Sequence, residues 1–207
     1  EYILNYHSLN YYLNKFSLSV LFLLFFTQLS MGQATQLTPI GSTLNSITNI
    51  DDSYEMVDIR GVFSGGIKLG DITYTNMFVG SNGYVTFGIG NSGYNPLGIS
   101  GYSAGPIIAG QYDDIDPAKG GDVYYSQNGT YLVVTFLAVA PFSTPAFGSG
   151  ANTFQIILRQ GAGYNGTTNL NFQIEVRYIN MNWAQAGTAG SYPTAGWSSG
   201  TQVYGEM

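Results

Sequence analysis

Four of the chain's twelve acidic residues, Asp113, Asp114, Asp116 and Asp122, lie within the stretch PIIAGQYDDIDPAKGGDVYY, Pro106–Tyr125, although only 9% of the chain is charged. Carboxylates gathered this closely suit three chemistries. A pair at a defined separation can hydrolyse glycosides, and Tyr112, Tyr124 and Tyr125 would line a sugar groove. A cluster backed by main-chain carbonyls can hold calcium, which takes about six to eight oxygen ligands. The spacing is not that of an EF-hand; Asp114 and Asp116 are the candidate ligands. The third role is structural. In Asp-Asp-Ile-Asp-Pro an Asp side chain bonds its own backbone and the proline fixes φ, which makes a tight acidic turn. Asp51 and Asp52 form a second acidic pair and read as a solvated lead into a strand.

Other chemistries lack their residues. The one histidine, His7, precedes a long apolar run, and there is no cysteine. Beyond that run the chain therefore offers no Ser–His or Cys–His nucleophile system. It also has neither thiolate nor imidazole for zinc, and no disulfide to brace the fold. No catalytic residues and no cofactor are expected, calcium apart. Gly88-Ile89-Gly90-Asn91-Ser92-Gly93 matches G-x-G-x-x-G in letters only, because that pattern needs a βαβ setting. It reads as a loop. Six scattered basic residues, a net charge of −6 and a pI near 4.4 leave no footprint for a phosphate backbone, so nucleic acid is excluded as a partner.

The elements that must position these residues are strands. The chain is rich in Tyr (17), Phe (12) and Gly (28), which suits pleated sheets joined by tight turns. Asn-Gly marks one hairpin between Thr73–Val79 and Tyr84–Phe87. Gln127-Asn128-Gly129 marks a second, between Asp122–Ser126 and Thr130–Val139. A longer Gly/Asn/Thr loop joins Thr153–Gln160 to Leu170–Ile179. In this last pair Phe154, Ile156 and Leu158 alternate with Gln155, Ile157 and Arg159, while Phe172, Ile174, Val176 and Tyr178 alternate with Gln173, Glu175 and Arg177. Period-two alternation predicts an antiparallel pair with one buried and one solvated face. Gln155 and Gln173 are placed on the solvated face, and Phe154 and Phe172 are equally buried on the other. The expected fold is all-β, an antiparallel β-sandwich-like domain.

Lys15 precedes SLSVLFLLFFTQLS, Ser17–Ser30, and Ser30-Met31-Gly32 supplies small residues for cleavage. Residues 1–32 read as a secretory signal peptide with an upstream extension, short for a bilayer span of about 20 apolar residues. If uncleaved, this segment would be the only membrane contact. Residues 33–50 read as a polar linker and 51–207 as the β domain, with more protein expected downstream. Asn128-Gly129-Thr130 and Asn165-Gly166-Thr167 are N-glycosylation sequons at expected turns, meaningful in a eukaryotic source.

Four stretches in order resemble the NIDO domain family, the extracellular module of nidogen, alpha-tectorin and some mucins. They are Asp51-Asp52-Ser53 with LGDITYTNMFVGSNGYVTFG (Leu69–Gly88), PIIAGQYDDIDPAKGGDVYY, NTFQIILRQG (Asn152–Gly161), and FQIEVRYINMNWAQAG (Phe172–Gly187) with AGWSSG (Ala195–Gly200). Gly110-Gln111-Tyr112 stands where the family has Pro-Phe-Trp, which removes apolar bulk. Asp114 and Asp116 match the family's D-x-D. The resemblance implies a non-enzymatic, secreted module of cell–matrix adhesion with matrix or cell-surface proteins or glycans as partners. It also implies a turn-stabilising or metal-assisted role for that motif. The alternative is a secreted carbohydrate-active β-sandwich, either glycan-binding or a hydrolase using Asp114 and Asp116.

Overall fold

The computed structural model describes residues 38, 41–43, 47–95, 98–99, 102–143, 147–148, 150–184, 192–200 and 204–206. The expected signal peptide, with His7, lies outside the described residues. Among the described residues every regular element is a strand, and no helix is long and apolar enough to cross a membrane. In chain order the strands are β1 (Ser42–Thr43), β2 (Tyr54–Asp58), β3 (Ile67–Leu69), β4 (Ile72–Tyr74), β5 (Asn76–Gly80), β6 (Tyr84–Thr86) and β7 (Ile107–Tyr112). There follow β8 (Asp122–Asn128), β9 (Tyr131–Val139), β10 (Phe147–Gly148), β11 (Asn152–Gln160), β12 (Phe172–Asn180), β13 (Trp183–Ala184), β14 (Thr194–Ser198) and β15 (Tyr204–Glu206).

Two antiparallel sheets carry the fold. One has the order β1-β8-β9-β11-β12 and the other β15-β14-β7-β6-β5-β2. Their facing sides share a single apolar cluster. Val57, Met77, Val79, Val85 and Ile108 come from the six-stranded sheet; Val123, Leu132, Val134, Phe136, Phe154, Ile156 and Leu158 come from the five-stranded one. This is the sandwich-like arrangement the alternation predicts. All three expected hairpins form: β5 pairs with β6, β8 with β9, and β11 with β12. The stretch expected as a single strand from Thr73 is two, because Thr73 belongs to β4 and pairs with Lys68.

The expectation of one buried and one solvated face fails for both strands: β11 is buried on both faces, and β12 is half-exposed on both, with Tyr178 of the expected inner face exposed. No residue of β12 is fully buried, whereas Asn152–Leu158 of β11 all are. The reason is position. β11 is flanked on both sides by strands, and its outer face is covered as well. Gln155 is fully buried. Its amide takes a hydrogen bond from Thr38 N (3.0 Å) and donates to Thr38 O (3.0 Å) and Thr135 Oγ1 (2.8 Å). The side chain thus holds both main-chain polar groups of Thr38 as a neighbouring strand would. Arg177 adds a bond to Thr38 Oγ1 (3.0 Å). The region expected as a linker therefore contributes to the domain: Thr38 bonds to Gln155 and Arg177, Ser42 and Thr43 pair with Tyr125 and Tyr124, and Ile47 is fully buried.

The residues between β6 and β7 cover the outer face of the six-stranded sheet. Tyr84, Ile99, Ile107, Ala109 and Tyr112 form a second buried cluster there, with Tyr102 against it. The glycine-rich segment lies in this cover, as a loop. Tyr84 donates its hydroxyl toward Gly93 O (2.8 Å), and Thr86 Oγ1 donates to Ile89 O (2.7 Å).

Candidate functional site

The acidic residues meet where three turns converge. The β5–β6 hairpin turn, Ser81-Asn82-Gly83, clasps the segment before β2: Ser81 N donates to Ser53 O (2.9 Å) and Ser53 N to Ser81 Oγ (3.1 Å). Asn82, fully buried, binds both neighbours. Its amide nitrogen donates to Asp52 Oδ1 (2.8 Å), and its Oδ1 accepts from Ile115 N (2.8 Å). Its main-chain carbonyl accepts from Asp113 N (3.3 Å). Gly83 sits at φ +84°, and a Cβ there would fall 1.8 Å from Gln111 O. Only glycine allows the hairpin turn to approach the end of β7 so closely. Asn82 is a residue that sequence reasoning missed: Asn-Gly signalled a hairpin and said nothing of what the side chain would join.

The result is a corner in which Asp51, Asp52 and Asp114 bring carboxylate oxygens within 4.8 Å of one another. The two acidic pairs that looked separate in sequence are thus one cluster. Asp116 is placed otherwise. It is buried, accepts from Ala118 N (2.9 Å) and pairs with Lys119 Nζ (3.2 Å), whose ammonium also lies over the Phe142 ring. This is the turn-stabilising role. Asp113, also buried, accepts from Asp114 N (2.9 Å) and from Gln111 Nε2 (3.2 Å). Asp122 stands apart and accepts from Tyr124 Oη (3.2 Å).

Burial and then the charges of Asp52, Asp51, Asp113 and Asp116 push the Asp114 carboxyl up to about 7. Asp51 is raised for the same reasons, burial first and Asp52 next, and its Oδ1 is buried with no hydrogen-bond partner. Three carboxylates can offer up to six oxygens to a hard cation such as calcium. The sign of the pH effect follows. Between the ordinary value of 3.8 and about 7, folded Asp114 keeps a proton that the unfolded chain has released. Stability therefore falls across that window and levels off above it. Asp114→Asn should flatten this slope and raise the melting temperature at pH 8. Calcium, if it binds, should raise the wild-type melting temperature by mass action, more strongly as pH climbs through 7, and leave Asp114→Asn unmoved. Melting curves with calcium and with chelator read both effects. Indifference to calcium would leave the carboxylates as turn residues only.

A family model described as NIDO related matches residues 27–200. The chain belongs to the NIDO-related family. No curated protein and no solved structure gives a match. Membership points to an extracellular-type module.

In this NIDO-related domain the Gly110-Gln111 departure is compensated by what packs on it. A Cβ on Gly110 would lie 2.7 Å from the Phe154 ring, so the missing side chain is the space Phe154 fills. Tyr178 Oη donates to Gly110 O (2.7 Å). Gln111 joins a buried polar chain instead of an apolar one: Asn152 Nδ2 donates to Gln111 Oε1 (2.9 Å) and to Trp183 O (2.8 Å). Asn152 Oδ1 accepts from Asn182 N (2.6 Å) and Trp183 N (3.1 Å). Asn152 heads the third stretch of the resemblance, NTFQ, and its position there was the only hint of this role. Beside it, Gln111, Tyr178, Trp183 and Thr194 help line a concavity of about 450 Å³. Asn128, the last residue of β8 before its turn, and Asn165, in the β11–β12 loop, are the sequon residues, and both are exposed. Asn165 Oδ1 accepts from Thr167 N, Thr168 N and Asn169 N and so organises its own loop.

Proposed function

We propose that the chain is a non-enzymatic, secreted adhesion or matrix module that binds extracellular-matrix or cell-surface proteins or glycans. The match to the NIDO-related family over residues 27–200 carries this reading. The geometry of the acidic corner supports it against the hydrolase alternative. Asp116 is committed to Lys119 and to its own turn. Asn128 and Asn165, both exposed, would accept glycans in a eukaryotic secretory pathway. Immobilised chain should retain cells or components of matrix extracts and release no product from a panel of polysaccharides. Turnover that disappears in Asp114→Asn while the fold persists would overturn the reading in favour of a carbohydrate-active enzyme.

A further inference from the structure

Strand β12 ends its sheet: among the described residues nothing pairs with its second side. It is nine residues long, Phe172–Asn180. Edge strands of this length are usually protected by proline, lysine, a bulge or a covering loop, because a bare edge templates pairing with another chain. The sequence FQIEVRYIN has no proline, glycine or lysine, and its register against β11 is regular from Phe172 to Tyr178, with one shift beyond that, between Tyr178 and Asn180. By contrast, the opposite edge of the same sheet, β1, has only two residues.

We propose that β12 is the seam of a homodimer in which two copies pair edge to edge, antiparallel, about a twofold axis through Val176. Val176 is the middle residue of the strand, so this register pairs the regular segment Ile174–Tyr178 symmetrically and leaves the irregular end at Asn180 outside it. The same register matches the side chains. On the outer face Glu175 lies opposite Arg177 of the second copy, and Arg177 opposite its Glu175. On the inner face Ile174 meets Tyr178, an aliphatic–aromatic pair, and Val176 meets Val176. Opposite charges and such apolar pairs are the favourable cross-strand neighbours of antiparallel sheets. Shifting the axis by one residue centres it on Glu175 or Arg177 and sets like charges against each other. Within one chain Glu175 already pairs with Arg159 (3.0 Å) and Arg177 (2.5 Å), so the charges that would meet the partner are held on the sheet. Tyr178 is 43% exposed, and docking would cover it. A C2 pairing of this kind is closed and leaves no further edge of the same sort on that side.

The test is charge exchange, read by sedimentation velocity on the secreted chain. Wild type should shift toward twice the chain mass as concentration rises. E175R alone sets two guanidinium groups opposite each other across the seam, and R177E alone sets two carboxylates opposite each other. Each variant should remain monomeric at concentrations where wild type dimerises. A mixture of the two should dimerise again, because every cross-strand pair is then opposite in charge. Val176→Cys gives an independent reading. The chain has no other cysteine, and directly opposed Cα atoms at about 4.5–5.5 Å suit a disulfide. Mild oxidation should link V176C into a dimer but not Q173C, whose two copies would lie roughly 20 Å apart along the seam. A wild-type chain that stays monomeric at every soluble concentration overturns the proposal. So does a dimer indifferent to both charge variants, or one that links Q173C as readily as V176C.

Discussion

Replacing Phe154 with alanine should cost about 3–5 kcal/mol, the range for deleting a fully buried aromatic whose site cannot collapse. The ring is fully buried, stacks on Phe136 with centroids 4.6 Å apart and planes 9° apart, and fills the space above Gly110. The surrounding strands are fixed by their ladders, so a cavity would remain. With total stability of about 5–15 kcal/mol for a typical domain, the loss should sharply cut secretion. Phe172→Ala is the control. That residue is half-buried at the sheet edge and should cost roughly 1–2 kcal/mol. Urea denaturation of the two variants reads the difference. Equal losses would mean that β12 is as deeply enclosed as β11.

The second large effect comes from a polar residue. Asn152→Ala removes four hydrogen bonds at once, three of them buried, and leaves Gln111 Oε1, Trp183 O, Trp183 N and Asn182 N without this partner. A stranded buried polar group costs about 1–3 kcal/mol, and members of a shared network do not fail independently, so a total of about 3–5 kcal/mol is expected. The emission of Trp183, buried and donating its Nε1 to Val139 O (3.0 Å), should shift to the red as the loop opens to water. Asn182→Ala tests the attribution. Its exposed side chain donates only to Ala151 O, and the bond to Asn152 comes from its main chain. This change should stay within about 1 kcal/mol. A loss as large as that of Asn152→Ala would move the role from the Asn152 amide to the loop as a whole.

Local pattern made the hairpins legible. Asn82-Gly83 and Asn128-Gly129 name their turns by backbone chemistry, and the alternation of β11 and β12 gave the inner face correctly, from Phe154 through Leu158 and Phe172 through Val176. What lay beyond local pattern was which partner covers a face. Gln155 has the sequence character of a solvent-facing residue, yet it bonds both main-chain polar groups of Thr38. Nothing in the alternation of β11 could announce a contact so distant in sequence. The acidic corner was half legible for the same reason. The turn chemistry of Asp116-Pro117 could be read directly, whereas the meeting of Asp114 with Asp51 and Asp52 depends on Asn82, which belongs to neither stretch.

The grip of Gln155 on Thr38 has a consequence in time. The two residues are 117 apart in the chain. A ribosome adding about 5–20 residues per second needs roughly 6–23 s to make that length. Throughout that interval the Thr38 segment has been made and the strand that will hold it has not. The five-stranded sheet can therefore close only late in synthesis, and its first-made piece is among the last to find a place.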